Sequence, residues 1–180
     1  GIERMIISPY QSVSGAGKDA IEELESHTRA NLSGKETKPE HFTKPIAFNV
    51  IPHIDVFQEN GYTKEEMKMI QETKKIFGDP SLNISATCVR VPVFVGHSEA
   101  VNIQCKKAID LKKLHALYES ISSVSVMDNP TKNIYPTPRE TAGTNPVYVG
   151  RIRKDLSHPK GIEMWVVADN LRKGAALNAI

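Results

Sequence analysis

Apolar positions along this chain follow two rhythms, short β-branched or aliphatic runs and longer stretches with apolar residues every three or four positions. "RMIIS" (4–8) reads as a strand. After "SPYQSVSGAGK", the segment "DAIEELESHTRANL" reads as a helix, with Ile21, Leu24 and Thr28 at helical spacing and acidic residues in its first turn, where the dipole favours them. "SGKETKPEHFTKP" is polar and punctuated by Pro and Gly, a surface loop. "IAFNVIPHIDVF" is apolar, but Pro52 excludes a regular central strand there. "NGYTKEEMKMIQETKKIFGDP" gives the clearest helix: Thr63 and Glu66 form a capping box, Met67, Ile70 and Phe77 a stripe, and Gly78 with Pro80 the stop. Strands over 84–95 and 100–105 follow. Next comes a helix over 110–120 with Leu111, Leu114, Leu117, Tyr118 and Ile121 on its apolar side. Strand-like "SVSVMD", a long irregular stretch, and the pair "VYVGRIRKD" and "GIEMWVVAD" joined by a tight polar turn complete the chain. Paired strands with a few helices between them predict an α+β fold, a mostly antiparallel or mixed sheet with helices packed on one face.

Composition narrows the function classes. The 180 residues fit one domain, 1–180, large enough to bury a core without staples. The net charge of +2, from 23 basic and 21 acidic side chains, is too small an excess for tracking a phosphate backbone, and aromatics are few. No apolar run approaches a membrane span. Two cysteines, Cys88 and Cys105, without metal-type spacing point to free thiols in a reducing, cytoplasmic setting and to no metal site. The chain begins at Gly1 and ends in "LRKGAALNAI", which looks like the opening of a helix. Both ends fit a domain of a longer protein.

The stretch "CVRVPVFVGHSE" carries the first candidate chemistry. A guanidinium among β-branched residues is costly to bury unless something anionic meets it, and its fork suits a carboxylate. Alternatively, Arg90 faces water from an edge strand or pairs with a structural acid. His97 lies seven positions on, an odd number, so an unbroken strand would place the two on opposite faces; Pro92 and Gly96 can each break that register. An imidazole just past a glycine is suited to proton transfer, though a solvated loop histidine fits the same spacing. Glu65 and Lys68, three apart, share one helix face, either as a surface ion pair or as a displayed carboxylate and ammonium. "SGAGK" (14–18) offers glycines at a strand-to-helix junction, for a tight turn or for close approach of an anion or flat ring. Cys88, in mid-strand, reads as a small buried hydrophobe with a raised pKa rather than as a nucleophile.

"SPYQSVSGAGK", "AFNVIPHIDVF", "NGYTKEEMKMIQETKKI", "SATCVRVPVFVGHSEAVN", "YPTP", "VGRIRKD" and "WVVADNLRKGAALNA" occur in this order, and together the series resembles the C-terminal part of the aspartate-semialdehyde dehydrogenase family. The resemblance spans essentially the whole chain. It implies the catalytic and dimerisation domain, with a fold like the C-terminal domain of glyceraldehyde-3-phosphate dehydrogenase. It also implies the NADP-dependent reductive dephosphorylation of L-aspartyl 4-phosphate to aspartate 4-semialdehyde, a step toward lysine, threonine and methionine. By that resemblance Gln11 matches the glutamine that orients substrate, and Ser14 and Gly15 the backbone against the nicotinamide part of NADP. Glu65 matches the carboxylate for the α-ammonium, Lys68 a phosphate ligand, Arg90 the grip on the α-carboxylate, His97 the acid/base, and Asn170 a cofactor contact. A homodimer or homotetramer is implied as well.

The family's nucleophile lies in an Asn-Cys-Ser/Thr segment about one helix upstream of the Gln11 motif, so neither Cys88 nor Cys105 falls at its position. The resemblance thus implies that the Gly-rich cofactor-binding domain, the nucleophile and a C-terminal helix lie outside this chain, and that the chain by itself has no turnover. A dimerisation module without turnover and another acyl-phosphate reductase, of the N-acetylglutamyl-phosphate type, are the competing readings. For the latter, a carboxylate at Glu65 would lack the free ammonium it is suited to meet.

Overall fold

A computed structural model describes residues 1–173. Strand β1 spans Ile2–Gln11 and is followed by a 3₁₀ turn, Val13–Ala16, and helix α1, Lys18–Leu32. After a long irregular segment come α2 (Lys64–Phe77), β2 (Asn83–Ala86), the two-residue β3 (Val89–Arg90) and β4 (His97–Cys105). Then follow α3 (Leu111–Glu119), β5 (Val124–Val126), a short α4 (Pro138–Thr141), β6 (Val147–Lys154) and β7 (Gly161–Ala168). The strands form one mixed sheet in the order β2-β1-β4-β7-β6-β5, with β3 extending the β2 side of β1. β4 and β7 pair antiparallel with their neighbours, whereas β2 and β3 run parallel to β1, and β5 parallel to β6. The α+β mixed sheet predicted above is the observed fold.

Side-chain alternation along the strands separates two faces. Met5 and Ile7 of β1, Val101 of β4, Ile162 and Met164 of β7 and Val149 of β6 point to one side, where they form the main core. Met69 of α2 and Leu111, Leu114 and Tyr118 of α3 cover them. The opposite side carries Ile6 and Ser8 of β1 with Ala100, Asn102 and Gln104 of β4 along an open surface. A second, smaller cluster of Val13, Ala20, Leu24, Ile46, Ala47 and Ile51 fixes α1 beyond the end of β1.

The structure differs from the sequence expectation in three places. The strand predicted over 84–95 is broken into β2 and β3, and 91–96 is irregular, because Pro92 removes a ladder donor and Gly96 takes a left-handed φ of 96°. β4 begins at His97 rather than at Ala100. The apolar stripe of α2 is also displaced: Met69 meets the sheet, while Phe77 is 54% exposed. What turns the helix is polar. Glu66 Oε2 accepts from Thr63 N at 2.8 Å, completing the capping box, and Oε1 accepts from Cys88 N at 3.0 Å, tying the helix start to the bend between β2 and β3.

A Glu66→Ala substitution deprives two backbone N–H groups of their acceptor. It is expected to lower unfolding stability by roughly 2–4 kcal/mol, measured as a shift of the denaturant midpoint. A change within experimental error would mean that Glu66 does not anchor α2.

Candidate active site

The C-terminal end of β1 organises the candidate residues. Gln11 is flanked on one side by Arg90, its partner in the parallel β1–β3 ladder, and on the other by the start of β4, where Tyr10 pairs with Ser98. Arg90 and His97 therefore arrive on the same face from opposite sides of β1. The odd spacing that would have separated them in one strand is undone because the chain crosses the end of β1 between them. Gly96 makes the final turn. Its positive φ suits glycine, and a Cβ there would meet Pro138 at 3.0 Å.

A single residue, Ser12, holds both nitrogen heads. Its carbonyl accepts from Arg90 Nη1 at 2.7 Å, and its N–H donates to His97 Nδ1 at 3.1 Å. Gly15 lies against both heads: a Cβ there would sit 3.2 Å from Arg90 Nη1 and 3.3 Å from His97 Nε2. The absence of a side chain at this position keeps both heads reachable.

From the other wall, the capped start of α2 presents Glu65 and Lys68. Gln11 Nε2 donates to Glu65 Oε1 at 3.1 Å, and Lys68 Nζ stands 4.0 Å from Glu65 Oε2. A third segment, following β7, adds Asn170, whose side chain bonds Ser12, Ser14 and Gly96. Gln11, Gly15, Glu65, Lys68, Arg90, His97 and Asn170 line one open cavity of about 560 Å³. Ser14 is buried beside it, hydrogen-bonded to Asn170. Gln11, Ser14, Gly15, Glu65, Lys68, Arg90, His97 and Asn170, far apart in the sequence, thus meet in one place. Asp55, Ile54 and Lys173 also line the cavity. Sequence reasoning passed over these three, and also Ser12, whose part is played by its backbone.

Electrostatics distinguish the heads. Arg90 is only 6% exposed, and among the described residues it makes no ion pair within 4 Å. Neither a water-facing edge arginine nor a structural acid pair describes it. Burial pulls its pKa down, and the nearby Glu65 partly offsets this. Burial, reinforced by Arg90, also lowers the His97 pKa to about 4, so the imidazole is neutral at ordinary pH. The Cys88 thiol is fully buried, and desolvation, aided by Glu65 and Glu66, pushes it up to about 12. It is a core side chain, inert as a nucleophile. The buried Cys105 is raised as well.

This arrangement supplies a buried cationic fork, a carboxylate, a neutral imidazole and an ammonium around a hollow of small-metabolite size. The model of the semialdehyde dehydrogenase dimerisation domain matches residues 1–173. The chain belongs to that family. It is 52% identical over 181 residues to an aspartate-semialdehyde dehydrogenase of Aquifex aeolicus (strain VF5), and 50% to one of Shewanella sp. (strain DB6705), covering all of this chain and 53% of each relative. It superposes with a TM-score of 0.95, at 50% identity, on the crystal structure of aspartate semialdehyde dehydrogenase II from Vibrio cholerae complexed with ASA, over 99% of this chain and 53% of that one. The chain spans about half the length of these relatives. Among its described residues no helix is long and apolar enough to cross a membrane.

Proposed function

We propose that this chain is the substrate-holding and dimerisation domain of an NADP-dependent aspartate-semialdehyde dehydrogenase. That enzyme converts L-aspartyl 4-phosphate to L-aspartate 4-semialdehyde with release of phosphate. The observation that supports this most is the convergence of Arg90, Glu65, Gln11 and His97 on one cavity in a chain about half identical to dehydrogenases of that name. A four-carbon amino acid presents an α-carboxylate for the Arg90 fork, an α-ammonium for Glu65 and a reacting carbonyl that Gln11 orients. Lys68, three residues from Glu65 on the same helix face, would take a phosphate oxygen. His97 exchanges a proton at the reacting centre.

For the cofactor, the bare backbone of Gly15 between Arg90 and His97 suits a flat ring, since a Cβ would crowd both. Ser14, Gly15 and Asn170 are the residues of this chain that would lie against the nicotinamide end of NADP, which supplies the hydride when bound. The nucleophile and most of the cofactor site belong to another part of the protein, and Cys88 and Cys105 do not replace that nucleophile. The free-ammonium partner at Glu65 favours the aspartyl substrate over an N-acetylated one.

The test is turnover. Full-length protein is expected to reduce NADP with aspartate semialdehyde and phosphate, whereas the 180-residue chain gives no turnover. Comparable rates in the two would refute the division of labour, and an inactive full-length protein would refute the activity.

The family's description also supports self-association, with the open sheet face of Ile6, Ser8, Ala100 and Asn102 as the contact surface. Sedimentation is expected to show a dimer that Ala100→Arg converts to monomer. A wild-type monomer at high concentration would contradict this.

A further inference from the structure

We propose that Asn170 is a positioning residue for His97, fixing the neutral imidazole with its proton on Nε2, the nitrogen that faces the cavity. Two backbone donors fix the assignment at this site. Gly96 N lies 2.9 Å from Asn170 Oδ1, and Ser12 N lies 3.1 Å from His97 Nδ1. A backbone N–H only donates, so Asn170 must present its carbonyl to Gly96, and Nδ1 of His97 must be unprotonated.

One closure satisfies all the remaining donors. Asn170 Nδ2 donates to Ser14 Oγ at 3.0 Å, Ser14 Oγ donates to Ser12 Oγ at 3.0 Å, and Ser12 Oγ donates to Asn170 Oδ1 at 3.1 Å. Every donor then has an acceptor, with Asn170 Oδ1 accepting from both Gly96 N and Ser12 Oγ. The opposite tautomer, with Nδ1–H directed to Ser12 Oγ, would set two N–H groups against each other. With Nδ1 occupied, the single proton of the neutral ring sits on Nε2, beside Gly15 at the cavity.

Asn170 controls this because it ties together three segments. Gly96 immediately precedes His97 and holds a left-handed turn, and among the described residues its N–H is anchored through Asn170 Oδ1 alone. Ser12, the residue that grips Nδ1, is anchored by the same oxygen. Asn170 itself follows β7, whose Ala168 pairs with His97. Without that carbonyl, the Gly96 N–H and the Ser12 hydroxyl lose a buried partner. The ring can then rotate and donate from Nδ1 to the freed Ser12 Oγ.

The kinetic consequence rests on the dehydrogenase reading; the tautomer does not. ¹⁵N-histidine spectra of the chain at neutral pH, without cofactor, test it directly. Wild-type His97 is expected to show a protonated Nε2 and an unprotonated Nδ1. Asn170→Leu is expected to give a mixture of the two tautomers with β4 and β7 amide signals retained, and Asn170→Ala carries the same prediction should leucine disturb the strands. Asn170→Asp, which keeps an acceptor for Gly96 and Ser12, is expected to retain the Nε2–H form.

A protonated Nδ1 in the wild type, or a pure Nε2–H signature in both the Leu and Ala variants, would overturn the proposal. In full-length protein Asn170→Leu is expected to lower kcat roughly 10- to 100-fold, with KM for the semialdehyde moved less than about threefold. A change confined to KM would count against positioning. A full-length protein without dehydrogenase activity would sink the functional reading while leaving the nitrogen spectra to decide this one.

Discussion

Arg90→Ala in the full-length protein is expected to reduce kcat/KM for aspartate semialdehyde by roughly 10²–10³-fold, mostly through KM. The guanidinium is buried, unpaired by any acid among the described residues, and held by the Ser12 carbonyl at the cavity wall. A substrate carboxylate at this fork would therefore find its desolvation already complete. Losing one side of such a buried, hydrogen-bonded pair costs about 2–5 kcal/mol, and each 1.4 kcal/mol is about a factor of ten. Arg90→Lys restores the charge without the fork and should recover only part of the loss. Steady-state kinetics with semialdehyde as the varied substrate decide the matter. An unchanged KM in the alanine variant would show that Arg90 does not bind the substrate.

His97→Asn is expected to act on kcat instead, lowering it about 10²–10⁴-fold with little change in KM. Its pH behaviour follows from burial. The folded-state pKa of about 4 lies below the ordinary 6.5. Between those values the unfolded chain binds more protons than the folded one, so stability rises with pH across that window. The contribution is complete above about pH 6.5 and is lost as pH falls toward 4. Denaturant titrations at several pH values should show this slope in the wild type and a shallower one in His97→Asn. The kcat/KM profile should likewise lack a His97 step near pH 6.5. Identical stability slopes in the two proteins would mean that the imidazole is not held neutral.

The elements that chemistry marks locally were legible in the sequence. The Thr63–Glu66 capping box fixed where α2 begins, and therefore where Glu65 and Lys68 stand. The alternation of β6 and β7 and the polar turn between them gave a hairpin. Cys88, expected in mid-strand, lies instead in the bend between β2 and β3, but is the buried thiol of raised pKa that was expected. What escaped depends on long-range pairing. Nothing in "CVRVPVFVGHSE" reveals that its two halves lie on opposite sides of β1, since that follows from ladders formed with residues some eighty positions away. Pro92 and Gly96 marked the break without saying where it leads. Ser12 was invisible because it works through its N–H and C=O, which every residue possesses. Met69 replaced the expected stripe of α2 because a carboxylate bonded to Cys88 N, and not apolar periodicity, sets that helix's rotation. The helix opening expected in "LRKGAALNAI" lies, from residue 174 on, outside the described residues.

The cavity shared by Arg90, His97, Gln11 and Glu65 is the centre of this account, and a nuclear magnetic resonance titration of labelled protein with L-aspartate 4-semialdehyde tests it most directly. Saturable shifts are expected together at the Arg90 guanidinium, the His97 ring and the Gln11 side-chain amide, with one common dissociation constant. Saturation elsewhere, for example at the Trp165 indole on the far face, with Arg90 and His97 unmoved, would contradict it.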